Sequence, residues 1–94
     1  MNPDGEGFAV ELSPAAQRDL RRLDVLTVAR VRTPILALGS DPRPAGATKL
    51  VGSEFWRLRV GDMRVVYAID ETQRLVVILR VAHRSERTYG RLRR

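Results

Sequence analysis

Hydrophobic and polar positions along the chain change their period twice, and each change marks a different kind of element. Residues 8–12 (Phe-Ala-Val-Glu-Leu) predict a short strand. Ser13-Pro14 then reads as a helix N-cap followed by the first helical position, where the N–H that proline lacks would be unbonded in any case. Ala16, Leu20 and Leu23 follow at i, i+4 and i+7 and form one apolar face, with Arg18, Arg21 and Arg22 off it. Asp24 can cap a second helix whose inner face is Val28, Val31, Ile35 and Leu38, with Gly39 as its stop. Pro34 breaks that pattern, because inside a helix it removes a hydrogen bond and crowds the preceding turn, so a kink or an early end is expected there. Residues 40–48 read as a loop on composition.

From residue 55 the period becomes that of strands. Residues 55–60 alternate, 63–69 are β-branched and aromatic, and 75–81 are almost wholly apolar. The linkers, Gly61-Asp62 and residues 70–74, are short enough to force antiparallel neighbours. Residues 84–94 form a polar, basic tail or short helix. The expected architecture is therefore α+β: an N-terminal strand, a helical hairpin on one sheet face and a three-stranded antiparallel meander. A chain of 94 residues allows a single domain, 1–94, with residues 1–7 as a flexible N-terminus.

Charge adds a direction to this picture. The net charge is +6, and sixteen of the 17 basic residues are arginine, Lys49 being the one lysine. Residues 1–54 carry seven basic and seven acidic side chains, whereas residues 55–94 carry ten arginines against four acids. A GC-rich genome would explain arginine over lysine but not this asymmetry. A polyanionic partner would, and arginine suits bidentate contact with phosphate. The chain has no cysteine and one histidine, which excludes a disulfide framework and a thiolate or multi-histidine metal site. No cofactor is expected. No apolar run approaches the ~20 residues of a membrane span, and no signal-peptide core opens the sequence, so a cytoplasmic protein with no membrane partner is expected.

The Gly61-Asp62 turn sets a register. As a two-residue hairpin loop it places Val60 opposite Met63, Arg59 opposite Arg64, Leu58 opposite Val65 and Arg57 opposite Val66. Trp56, Leu58, Val60, Val65 and Tyr67 then share one face, with Met63 by parity, and Arg57, Arg59 and Arg64 share the other. Like charges directly across an antiparallel pair are destabilising. Three arginines gathered in this way make sense as an anion site, although a single such arginine is usually just a solvated side chain. Arg80 and Arg84 have the same parity as each other and could extend that surface. His83, next to Arg84, is the one obvious proton-transfer side chain here. Tyr89 lies among Arg84, Arg87 and Arg91, where it suits either stacking on a base or capping the apolar core.

Three stretches taken together carry a resemblance: Lys49-Leu50-Val51-Gly52, then Trp56-Arg57-Leu58-Arg59-Val60-Gly61-Asp62-Met63-Arg64-Val65-Val66-Tyr67, then Val81-Ala82-His83-Arg84. The chain resembles the RelE/ParE superfamily of bacterial type II toxin–antitoxin toxins, over roughly residues 8–90, and the RelE-like branch in particular. The resemblance implies a small microbial-ribonuclease-like domain that enters the ribosome and cuts messenger RNA through attack of a ribose 2′-OH on the adjacent phosphate. It also implies site roles. Arg57 and Arg59 match the family's basic pair on its second strand, Arg64 its transition-state arginine on the third, Arg84 the arginine after the last strand and Tyr89 the base-stacking tyrosine. Arg64, Arg84, His83 and Tyr89 form the expected catalytic set, and Arg57, Arg59, Arg80 and Lys49 the expected substrate-binding set.

One departure matters for the chemistry. Some members have lysines where Arg57 and Arg59 stand, and arginine is a poor general base. His83 is therefore the default proton-transfer group. The expected partners are a cognate antitoxin, mRNA and the ribosome, with operator DNA reached only through the antitoxin. The alternative within the same superfamily is a ParE-like toxin, without nuclease chemistry, that inhibits DNA gyrase. Such members generally lack the arginine–histidine–tyrosine set.

Overall fold

The computed structural model describes residues 7–84. The predicted flexible N-terminus, Gly7 apart, and the basic tail beyond Arg84, including Tyr89, lie outside the described residues. The elements run β1 (Ala9–Leu12), α1 (Pro14–Arg21), α2 (Val25–Ala37), β2 (Ala47–Lys49), β3 (Trp56–Val60), β4 (Met63–Asp70) and β5 (Leu75–His83). The strands form one five-stranded sheet in the order β1-β5-β4-β3-β2.

Both helix starts form as their capping residues dictate. The Ser13 hydroxyl accepts from the Ala16 N–H at 3.1 Å, with Pro14 at the first helical position. The Asp24 carboxylate accepts from the Thr27 N–H at 2.9 Å, and those hydrogen bonds from Thr27 hold its carboxyl below the usual carboxylate range. The helical hairpin packs on one sheet face. Ala16, Val31, Ile35 and Leu38 meet Leu58, Met63, Val65, Tyr67, Val76, Ile78 and Val81 in a single core, with Leu20, Leu23 and Trp56 against its margin.

The β3–β4 hairpin has the register its turn dictates: Val60↔Met63, Arg59↔Arg64, Leu58↔Val65 and Arg57↔Val66. Gly61 has φ +59°, the positive φ that a two-residue hairpin loop needs at its first position. Tyr67 is completely buried, and its hydroxyl donates to the Pro42 carbonyl at 2.7 Å, tying the 40–46 loop to the sheet. Burial pushes its phenol up to about 12.

Two expectations need correction. First, α2 continues through Pro34 to Ala37 instead of ending early. Val31 and Ile35, on either side of the proline, are both buried in the core, and that packing keeps the last turn helical despite the lost hydrogen bond. Second, the end of the 40–48 loop is a strand: Ala47, Thr48 and Lys49 pair antiparallel with Leu58, Arg57 and Trp56. Three residues are too few to display an alternation, so composition alone made them look like loop. The expected N-terminal strand, β1, joins the meander's sheet in parallel against β5, from Ala9↔Leu75 to Leu12↔Ile78.

Candidate functional site

Arg57, Arg59 and Arg64 share the sheet face opposite the helices, as the register requires. Val66 and Ala82 are buried on that same side, outside the main core, and give the charged face an apolar floor. Arg59 is exposed, whereas Arg57 and Arg64 are half-buried and each has its Nε atom shielded from solvent. The Arg57 Nε finds no hydrogen-bond acceptor among the described residues. A buried N–H left in that state costs roughly 1–3 kcal/mol, which an anionic oxygen would offset.

The end of β5 closes the site. Arg64 pairs with Ala82 and Met63 with His83. The Arg84 N–H then donates to the Asp62 carbonyl at 2.8 Å, fastening the strand end to the Gly61-Asp62 turn. A cleft of about 440 Å³ lies there, lined by Asp62, Arg64, His83 and Arg84. Arg84 follows Ala82 at a two-residue step and so takes the parity of Arg64. His83, opposite Met63, takes the other parity, but it is exposed at the strand terminus and borders the same cleft. The cleft thus joins a histidine to two arginines, one of them continuous with the Arg57–Arg59 surface. Chemically, such a set can hold a phosphodiester, stabilise added negative charge on it and exchange a proton.

Two expected members sit elsewhere. The Arg80 side chain has the right parity, opposite Val66, but its guanidinium is held by Asp19 of α1 through Nε at 2.9 Å and Nη2 at 3.1 Å. Lys49 stands opposite Trp56, so the register turns it to the helix side of the sheet edge. There it lines a separate cleft of about 450 Å³ with Leu50, Val51, Gly52, Ser53 and Glu54. Thr48, opposite Arg57, is the β2 residue that shares the arginine face. Sequence reasoning also missed Asp62 as a cleft residue. It had been accounted for as a turn residue, and the available signal was its position between the arginine strand and the strand that returns to Arg84.

Comparison with known proteins fits this geometry. A family model described as the ParE toxin of type II toxin–antitoxin system, parDE, matches residues 10–88. Among solved structures, the RelBE2 toxin–antitoxin complex from Mycobacterium tuberculosis is similar with a TM-score of 0.75 and 30% identity, covering 82% of this chain and 98% of that one. The archaeal RelE–RelB complex from Pyrococcus horikoshii is similar in fold with a TM-score of 0.73 and 24% identity, covering 84% and 97%. A YoeB/ParE toxin from Agrobacterium tumefaciens follows with a TM-score of 0.70 and 17% identity, covering 81% and 98%. No curated protein matches the sequence.

Proposed function

Because the chain belongs to the ParE-toxin family, within the RelE/ParE superfamily of type II toxin–antitoxin toxins, we propose that it is a toxin that cuts mRNA on the ribosome and is silenced by a cognate antitoxin. The observation that carries the nuclease reading is the pairing of Arg59 with Arg64 on the face that also holds Arg57, with Arg84 closing the cleft beside His83. Folding alone disfavours like charges placed directly opposite each other. A phosphodiester of the RNA backbone is the anion such a face would take.

In the proposed reaction a ribose 2′-OH attacks the adjacent phosphorus. The new O–P bond forms as the bond to the 5′-oxygen breaks, leaving a cyclic phosphate. His83 takes the 2′-OH proton, and water protonates the departing oxygen. Arg64 and Arg84 stabilise the charge that accumulates on the pentacovalent phosphorane, and Arg57 and Arg59 hold the flanking backbone. Tyr89 would stack on a base at the cut. No step needs a metal or a cofactor. The partner is read from relatives: the similar structures from M. tuberculosis and P. horikoshii are toxin–antitoxin complexes. An acidic antitoxin segment suits a chain of net charge +6.

A second reading, gyrase inhibition, is favoured by one observation, the ParE description of the matching family model. Expression of the chain in cells separates the two. The nuclease reading expects translation arrest with mRNA cuts that map to the ribosomal A site. Accumulation of gyrase-bound DNA breaks with intact mRNA would replace it by the second reading.

A further inference from the structure

The β4–β5 ladder changes register partway. Tyr67 pairs with Ile78, but Val66 pairs with Arg80, so Leu79 is an extra residue in a β-bulge. Its effect follows from parity. Had the pairing of Tyr67 with Ile78 continued unbroken, Val65 would face Arg80 and Met63 would face Ala82, turning Arg80, Ala82 and Arg84 toward the helices. With the bulge, Ala82 pairs with Arg64, and Arg84 emerges on the arginine face. One inserted residue therefore decides whether the last arginine joins the site.

The bulge is held from α1. The Ser13 hydroxyl donates to the Leu79 carbonyl at 3.0 Å. The Asp19 carboxylate accepts three hydrogen bonds from the two residues after the bulge: Arg80 Nε at 2.9 Å, Arg80 Nη2 at 3.1 Å and the Val81 N–H at 2.8 Å. Its side chain is only 10% exposed. Local propensity does not explain an aspartate here. Asp19 lies in the C-terminal half of α1, where the helix dipole disfavours a negative charge. Its partners are all about sixty residues away.

We propose that Asp19 is a positioning residue for the site. It clamps the Leu79 bulge and so sets the register that delivers His83 and Arg84 to the cleft with Arg64. This rests on the nuclease reading for its effect on rate, but not for its effect on register. The test uses the full chain carrying Asp19→Ala or Asp19→Asn. Asparagine keeps an oxygen for the Val81 N–H and loses the charge that pairs with Arg80.

In Asp19→Ala, NMR should show loss of the Arg64–Ala82 and Met63–His83 cross-strand contacts and of Val81 amide protection. The Tyr67–Ile78 to Asp70–Leu75 pairing should persist. Turnover of ribosome-bound mRNA should fall at least ~10²-fold in kcat with KM little changed, since even a ~1 Å misplacement of a reacting group costs that much. Combining Asp19→Ala with Arg84→Ala should cost less than the product of the two single losses, because part of what Asp19→Ala removes is the placement of Arg84. Asp19→Asn should fall between wild type and Asp19→Ala in both measurements.

Retention of the register in Asp19→Ala, or full turnover despite its loss, overturns the proposal, and so does additivity with Arg84→Ala. Unfolding of both variants overturns it too, since Asp19 would then be a general stability contact. If the wild-type chain cuts no mRNA, the nuclease reading falls, and the register measurement still decides the role of Asp19.

Discussion

Arg64 belongs both to the arginine face and to the cleft. Its replacement by alanine removes like-charge repulsion with Arg59 directly opposite, so Arg64→Ala should leave the fold intact, as read by thermal unfolding. It should lower the rate of mRNA cutting by ~10²–10³, the usual loss when one electrostatic contact to a transition state disappears. Unfolding of the variant would make Arg64 a structural residue. His83 is tested differently. His83→Gln keeps hydrogen bonding but cannot take up the 2′-OH proton, so single-turnover cutting should slow by ~10²–10⁴. A glutamine variant with wild-type rate would leave the arginines to act alone. At this scale, the residues legible in the sequence were those within reach of a short turn. Gly61-Asp62 determines the partners of Arg57, Arg59 and Arg64 by counting. Lys49 and Arg80 were placed less well because their surroundings depend on a three-residue strand and on a helix about sixty residues distant.

Elements announced by their own ends were easily read. Ser13-Pro14 and Asp24 mark helix starts through groups that need a partner within three residues, and both partners are there. The Leu79 bulge had no such announcement. Residues 75–79 are apolar without a gap, and strands buried on both faces show no alternation that an extra residue could interrupt. Pro34 gives the testable case at this scale. It sits within α2 with no N–H for the turn before it, while Val31 and Ile35 hold the helix to the core. Pro34→Ala should therefore restore one backbone hydrogen bond and raise stability by ~1–3 kcal/mol, measured as a higher midpoint in urea with an unchanged slope. A lower midpoint would mean that the proline ring contributes more to packing than the missing bond costs.

The whole molecule divides its labour between two sheet faces. One carries the helices and the core, and the other carries arginines drawn from β3, β4 and the end of β5. Arg57, Arg59, Arg64 and Arg84, part of the surplus of charge after residue 54, are the sequence's record of that division. If Arg57, Arg59, Arg64 and Arg84 each meet a phosphate, binding to single-stranded RNA should weaken with salt at a slope of about −0.7 per phosphate, or roughly −3 on logarithmic axes. A flat response would place the RNA on another surface. The pairing of β1 with β5 has a further consequence, in the order of events during synthesis. The first strand waits for the last, since Ala9 meets Leu75 and the Ser13 N–H meets the Ile78 carbonyl. Contacts so distant along the chain form late and slow the folding of small domains. A nascent chain halted before residue 75 lacks the strand that β1 and α1 both require, and it lacks His83 and Arg84 as well. Stalled chains of increasing length should stay open to protease until β5 has cleared the exit tunnel, then become resistant in a single step. Until that step no nascent copy would hold Arg64, His83 and Arg84 in one cleft.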